Sequence, residues 1–250
     1  MGMVESGMAR RNWDRREVTL AIELYTRLPF GRLHSGNPEI IALAEEIGRT
    51  PSALAMKLVN LASLDEDLDR KGLGNASSLD REVWADFTSH PTQFIERARR
   101  MVGEIFYAEA EPSAVLEVAE GKEAERVVKV RQNQRAFREI VLPSYDNQCA
   151  VMGKVSPALL TASHIIPWSA REETRLDPRN GISLNSLHDR AFDRGLISFR
   201  DDLTMMVSSK IVVPDHVRSL FNEDIRLKPA KFRPLPGYLE HHRDVVFEAG

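Results

Sequence analysis

Apolar residues recur at helical spacing in the first half of the chain. Within Trp13–Leu28, Val18 and Ile22 belong to an apolar stripe that falls on one side of a helix. Asp14 and Glu17 stand three positions apart at its head, a spacing that predicts a capped helix start. Caps, prolines and glycines delimit the other helical segments. Further helices are predicted at Pro38–Ile47, Pro51–Leu61, Asp80–Thr88, Pro91–Phe106 and Glu123–Leu142.

The pattern changes in the second half, where short apolar runs are separated by turn residues. Gly153 and the run Arg200-Asp201-Asp202 are turn signals of this kind. Because strands follow a helical half, the fold class predicted is α+β. The strands are predicted at Leu159–Ser163, Leu196–Phe199 and Leu203–Val207, and two closing helices at Pro214–Phe221 and Gly237–Phe247.

The segment Ile40–Leu61 combines two helices with the three-residue turn Gly48-Arg49-Thr50. This arrangement resembles a DNA-binding helix-turn-helix, whose second helix lies in the major groove. Arg49 and Lys57 are basic residues at predicted exposed positions, and they are candidate DNA contacts. The alternative is a tight helical hairpin that only packs against the rest of the core, and the sequence does not separate the two.

The overall charge is nearly balanced, with 34 Lys and Arg against 37 Asp and Glu. A net charge of −3 excludes a uniformly basic protein that would hold nucleic acid by charge alone. Binding to nucleic acid must then depend on local clusters. The densest basic cluster lies in the predicted helix Glu123–Leu142, where Arg131 and Arg135 are candidate phosphate contacts. A solvated helix face is the alternative explanation of this cluster.

An acidic segment, Glu109–Gly121, contains Pro112 and is interpreted as a linker. The predicted organisation is a helical DNA-binding domain at residues 1–110, a linker at 111–122 and a second domain at 123–250. No stretch reaches the roughly 20 apolar residues that a membrane-spanning helix needs. Cys149 is the only cysteine, so neither a disulfide within the chain nor an all-cysteine zinc site can form. A soluble, cytoplasmic protein is expected.

The second half contains, in this order, His164, Asn180 and His188, whose side chains suit phosphodiester hydrolysis. They are predicted on a strand, a loop and a helix, respectively. Hydrolysis needs a base that deprotonates water and a cation that absorbs charge on the phosphate. A neutral histidine can be the base near neutral pH, and a second histidine can hold a divalent metal. An asparagine amide can bond the backbone and orient the base.

Ser-His-Ile-Ile-Pro-Trp at Ser163–Trp168 and His-Asp-Arg-Ala-Phe-Asp at His188–Asp193 closely resemble motifs of the HNH endonuclease family. The subgroup with these motifs consists of restriction-endonuclease-like bacterial proteins. The resemblance implies a ββα-metal domain with flanking helices, in which a two-stranded ribbon packs on a helix around one metal ion. It also implies that His164 is the general base, that Asn180 fixes the loop and that His188 binds the metal.

Two positions depart from the family pattern. Many members have Asp or His immediately before the base as a metal ligand, and here that position is Ser163. Many also carry cysteine pairs for a structural zinc, whereas this chain has Cys149 alone. The ligand set that the resemblance implies is therefore incomplete, and Asp193 is one candidate to complete it. Arginines between the base and the asparagine are candidates for holding phosphate, Arg179 among them.

These features predict a metal-dependent DNA endonuclease with a role in restriction or defence. Mg²⁺ or Mn²⁺ is the expected cofactor, and double-stranded DNA is the expected partner. One metal site cuts one strand, so a double-strand break requires a homodimer or repeated nicking. The alternative is a non-catalytic DNA-binding regulator on a degenerate HNH scaffold, for which Ser163 would be the sign of lost metal binding.

Overall fold

The computed structural model describes residues 11–68, 72–106 and 122–249, with side chains described for all of these except 104–106 and 122–129. It confirms the α+β class, with a helical region followed by two small two-stranded sheets. The helical region comprises α1 Arg15–Arg27, α2 Pro38–Glu46, α3 Pro51–Ala62, α4 Ser78–Ser89 and α5 Pro91–Phe106. The remaining elements are α6 Lys122–Val141, β1 Leu160–His164, β2 Gly181–Asn185, α7 Ser186–Asp193, β3 Ile197–Phe199, β4 Met205–Val207, α8 Asp215–Arg218 and α9 Pro236–Val245.

The first helix is the centre of the helical region. All residues from Glu17 to Thr26 are buried, and α1 packs against α3, α4, α5 and α6. Its start is fixed by the predicted capping box, in which Asp14 and Glu17 each accept a hydrogen bond from the other's backbone N–H. Since a helix that is buried all round must be covered on every side, the other helices form a shell around α1.

The aromatic core of the helical region includes a residue from the far end of the chain. Phe232 contacts Tyr25, Trp84 and Phe87, with ring centroids 5.8–6.3 Å apart. Next to it, the buried Lys231 ammonium donates hydrogen bonds to the carbonyls of Tyr25, Thr26 and Leu28 at the C-terminal end of α1. These contacts cross the predicted division between residues 1–110 and 123–250.

A ββα unit lies in the second half. Strands β1 and β2 pair antiparallel, with Leu160 opposite Asn185 and His164 opposite Gly181. Helix α7 follows β2 directly, because the Asn185 side chain caps it by accepting from the N–H groups of Leu187 and His188. Gly181 lets α6 approach the strand closely, since a Cβ there would lie 2.3 Å from Val141. The sequence analysis did not predict β2.

One predicted helix is shorter in the structure, and one predicted segment lies almost wholly outside the described residues. Helix α8 spans Asp215–Arg218 and is shorter than the predicted Pro214–Phe221, because the chain tightens into a turn in which the N–H of Leu220 donates to the carbonyl of Val217. The predicted linker 111–122 lies outside the described residues, except for Lys122, the first residue of α6. No helix in the described ranges is long and apolar enough to cross a membrane.

Candidate active site

His164 ends β1 in an aromatic pocket. Its ring stacks on Phe137 of α6, with centroids 3.5 Å apart and an interplanar angle of 12°, and Trp168 meets it edge-on at 5.5 Å. Burial disfavours the charged imidazolium and lowers the pKa of His164 to about 4. The imidazole is therefore neutral at physiological pH, as a general base must be.

One hydrogen bond fixes the tautomer of this imidazole. His164 Nε2 lies 3.1 Å from the carbonyl oxygen of Arg175, which can only accept. Nε2 therefore carries the proton, and the lone pair of the neutral ring is on Nδ1. Nδ1 makes no hydrogen bond to any of the residues that the structure describes. It is the ring atom that can take a proton from water.

Asn180 is fully buried and fixes the loop that leads from β1 to β2. Its Oδ1 accepts from the N–H of Ile166 at 2.8 Å. Its Nδ2 donates to the carbonyls of Ile166 at 3.2 Å and Thr174 at 3.1 Å. The amide thus joins the segment just after His164 to the segment just before Arg175.

The same loop is held by side chains from outside the ββα unit. Arg179 donates from Nη2 to the carbonyl of Thr88 at 2.7 Å and pairs with the buried Asp177 at 2.9 Å. Tyr238 of α9 donates to Asp177 at 2.9 Å. Arg179, a predicted phosphate contact, is therefore engaged in holding the loop to the α4–α5 junction.

His188 is fully buried and faces away from solvent. Its Nε2 donates to the carbonyl of Leu220 at 2.9 Å, and its ring packs against Phe221. Its Nδ1 lies 3.2 Å from the Asn185 Oδ1, which already accepts two backbone N–H groups. Both ring nitrogens thus face protein oxygens in the core, and the role of His188 as a metal ligand stays a prediction.

Asp189, the residue after His188, instead faces β1, the strand that ends at His164. Its Oδ1 accepts a hydrogen bond from the hydroxyl of Ser163, the residue immediately before His164. Asp193 lies one helical turn further along α7. Burial and the charge of Asp189 raise the pKa of Asp193. The Asp189 carboxylate and the Ser163 hydroxyl thus meet next to β1, and no group of three or more His, Cys, Asp or Glu that could hold a metal is found among the described residues.

The sequence analysis missed Asp189. Its four-residue separation from Asp193 was a usable signal, because residues at this spacing share a helix face. The same argument applies to Arg190 and Arg194, which are both exposed on α7. The exposed surface of this helix therefore carries a pair of carboxylates beside a pair of guanidinium groups.

The candidate DNA contacts on the helical hairpin are engaged inside the protein. Lys57 is buried, and its ammonium lies 2.8 Å from the Asp80 carboxylate. Arg49 pairs with the buried Glu17 at 2.8 Å and donates to two backbone carbonyls near residue 11. Lys57 is the only basic residue within α3, so the exposed face of that helix presents no positive charge to phosphate. This finding favours the packing alternative for the hairpin.

Arg131 and Arg135, the candidate phosphate contacts on α6, are both exposed. Arg135 Nε lies 2.8 Å from Glu139, one turn away. Arg138, from the same basic cluster, is instead engaged with the ribbon, since it donates to the carbonyl of Leu160 at the start of β1. The cluster is thus divided between a solvent-facing part and a part that joins α6 to β1.

The second half thus combines a two-stranded ribbon, a helix that directly follows it, and a neutral histidine at the end of β1. Residues 149–200 match the family described as HNH endonuclease. The chain therefore carries an HNH endonuclease domain, from a family of phosphodiesterases that typically use a divalent metal. No curated protein matches the sequence significantly.

Proposed function

We propose that the protein is a metal-dependent DNA endonuclease in which His164 is the general base. The observation that carries the proposal is the state of that imidazole. It is neutral, its Nε2–H is engaged by the Arg175 carbonyl, and its Nδ1 lone pair is available at the end of β1. Nδ1 accepts a proton from water, and the resulting hydroxide attacks the phosphorus in line with the leaving 3′ oxygen.

Asp189 and Asp193 are the residues that would hold the divalent metal. Their oxygen donors match Mg²⁺ or Mn²⁺, and Mg²⁺ in particular is held by one or two carboxylates while it keeps several waters. Burial and, after it, the charge of Asp189 raise the pKa of Asp193, and a bound cation would favour the ionised form of this carboxyl. When bound, the metal supplies positive charge that stabilises the phosphate oxygens and the leaving group. Ser163 would orient Asp189 through its hydroxyl hydrogen bond.

Asn180 and the arginines of α7 have supporting roles in this proposal. Asn180 keeps the Arg175 carbonyl in place by bonding Thr174 and Ile166 on either side of the loop. The exposed Arg190 and Arg194 can contact the phosphates that flank the scissile one. The HNH family resemblance supports a role in restriction or defence, which is an inference at the level of the family.

The base assignment is tested on supercoiled plasmid with Mg²⁺ or Mn²⁺. The wild-type protein is expected to nick the plasmid, and His164→Ala to reduce the rate by about 10²–10⁴-fold, the usual contribution of a general base. His216→Ala is the matched control, because His216 is exposed on α8. Equal cleavage by both variants would refute the base assignment. DNA binding without cleavage by the wild type under every metal would instead favour the regulator.

The metal assignment is tested by titrating Mg²⁺ against the cleavage rate. Asp189→Asn is expected to raise the half-saturating Mg²⁺ concentration about tenfold or more, while Asp215→Asn, an exposed carboxylate on α8, leaves it unchanged. His188→Gln is expected to lower thermal stability with little change in the Mg²⁺ requirement. If His188→Gln changes that requirement and Asp189→Asn does not, His188 is the ligand and the assignment to Asp189 is wrong.

A further inference from the structure

The carbonyl that orients His164 is itself held by a residue from the helical region. Thr92 lies in the first turn of α5 and is 5% exposed. Its hydroxyl donates to the carbonyl of Glu173 at 2.7 Å and accepts from the N–H of Leu176 at 2.9 Å. These two backbone groups flank Arg175, whose carbonyl accepts from His164. The Thr92 hydroxyl therefore holds the backbone on both sides of Arg175, whose carbonyl is the hydrogen-bond partner of His164.

We propose that Thr92 is a positioning residue for the general base, acting through the carbonyl of Arg175. The proposal rests on the role of His164 proposed above. Thr92 does not touch the reacting atoms. It determines where the Arg175 carbonyl points, and that carbonyl determines which ring nitrogen of His164 is free to accept a proton.

Among the described residues, the local structure offers no other partner for the two backbone groups that the Thr92 hydroxyl bonds. The segment Glu173–Leu176 includes a single short helical turn, so the Leu176 N–H and the Glu173 carbonyl are not paired in a longer ladder. Leu176 is fully buried, and water therefore does not readily take over its hydrogen bond. Loss of the hydroxyl leaves two backbone groups unsatisfied, and the segment must shift to satisfy them.

A second contact between the same two regions supports the inference. Arg179 reaches the carbonyl of Thr88, four residues before Thr92, and is held there by Asp177. The α4–α5 junction thus contacts the loop between β1 and β2 at two places, one at Glu173 and Leu176 and the other at Arg179. We infer that the helical region contributes to the geometry of the active site itself.

The expected effect follows from what the Arg175 carbonyl does for His164. This hydrogen bond favours the protonated ring and raises the pKa of His164 against the effect of burial. If the carbonyl moves away, the pKa of His164 falls further and the preference for a free Nδ1 weakens. The turnover rate should then fall, and the acidic limb of the pH–rate profile should move to lower pH.

The experiment compares Thr92→Val with Thr92→Ser in the full chain, on plasmid nicking at steady state with plasmid in excess over the protein. Valine removes both hydrogen bonds at nearly constant volume, whereas serine retains the hydroxyl. We expect Thr92→Val to lower kcat about tenfold with little change in KM, to move the acidic limb to lower pH, and to be rescued by Thr92→Ser. Thr19→Val is the matched control, because Thr19 is a buried threonine whose hydroxyl donates to the Arg15 carbonyl of its own helix.

Should Thr92→Val fail to fold, Thr92→Ala is measured in the same way, since alanine places no methyl group against the two backbone groups. A folded Thr92→Val or Thr92→Ala variant with the kcat and pH profile of Thr19→Val would overturn the inference. So would an equal loss of activity in Thr92→Ser, because the hydroxyl would then not be the cause. Inactive wild-type protein would refute the proposed function, whereas active wild type with a silent Thr92→Val refutes only this inference.

Discussion

Lys57→Met separates a structural role of Lys57 from a role in DNA binding. The ammonium lies 2.8 and 2.9 Å from the two carboxylate oxygens of Asp80, and the side chains are 7% and 0% exposed. The same ammonium lies 4.8 Å from the ring centre of Trp13. Methionine retains most of the length of the lysine side chain and removes its charge. The change therefore leaves the Asp80 carboxylate buried without its partner.

Lys57→Met is expected to lower the free energy of unfolding by more than the loss of an exposed lysine would. Breaking a buried ion pair by removing one partner costs about 3–5 kcal/mol, whereas removing an exposed lysine costs about 0–1 kcal/mol. Asp80 also accepts from the N–H of Ser77, which favours the lower end, about 3 kcal/mol. For a chain of this size that corresponds to a fall in Tm of roughly 6–12 °C. Adding Asp80→Asn to Lys57→Met should recover part of the loss, because the amide removes the buried charge.

Urea denaturation and DNA binding are measured on the same samples, at a temperature where every variant is folded. Lys154→Met is the control, because Lys154 is exposed. Lys57→Met is expected to lower the free energy of unfolding and to leave the DNA affinity of the folded fraction unchanged. The reasoning would be refuted by unchanged stability together with weaker DNA binding and a salt dependence reduced by about one phosphate contact. Lys57 would then face DNA, as the sequence interpretation had it.

Two further predictions concern pH and backbone conformation. Burial lowers the pKa of His164 and of His242 to about 4, so between pH 6.5 and 4 the unfolded chain binds more protons than the folded one. The contribution of these histidines to the free energy of unfolding should be fully present above pH 6.5 and fall towards pH 4, by up to about 3 kcal/mol per histidine. A urea midpoint that stays constant between pH 6.5 and 4 would contradict this prediction. Gly195→Ala should lower the Tm by several degrees, because φ is +66° at this position and the new Cβ would lie 2.0 Å from the Val246 carbonyl oxygen. Gly31→Ala is the control, and it should melt like the wild type because a Cβ at Gly31 would have no atom within 4 Å.

Local signals in the sequence predicted the helices well. The cap at Asp14 and the prolines at Pro38, Pro51 and Pro91 each lie at or next to the first residue of a helix. Such signals work because capping and the fixed φ of proline act on neighbouring residues. Strand β2 gave no comparable signal. All five of its residues are buried, so the alternation that marks a strand with one wet face is absent.

The candidate site was predicted only in part, and for a different reason. The histidine at the end of β1 could be found from its motif, but the sequence does not show which side chain of α7, His188 or Asp189, faces that strand. These neighbours point about 100° apart on a helix, and which of them faces β1 depends on how α7 is packed. That packing involves the Leu220 carbonyl, 32 residues away. Likewise, Lys57 pairs with Asp80 across 23 residues, which no local pattern predicts.

The position of Lys231 and Phe232 has a consequence for synthesis of the protein. Chains are made from the N-terminus at about 5–20 residues per second, and an N-terminal domain usually folds first. Here the core of the helical region is complete only with residues 231 and 232, which bring a ring to its aromatic cluster and an ammonium donor to the end of α1. A ribosome-bound intermediate that lacks them has an incomplete helical core. The loop between β1 and β2 is held by that same region, so its final geometry also depends on residues that are synthesised after it.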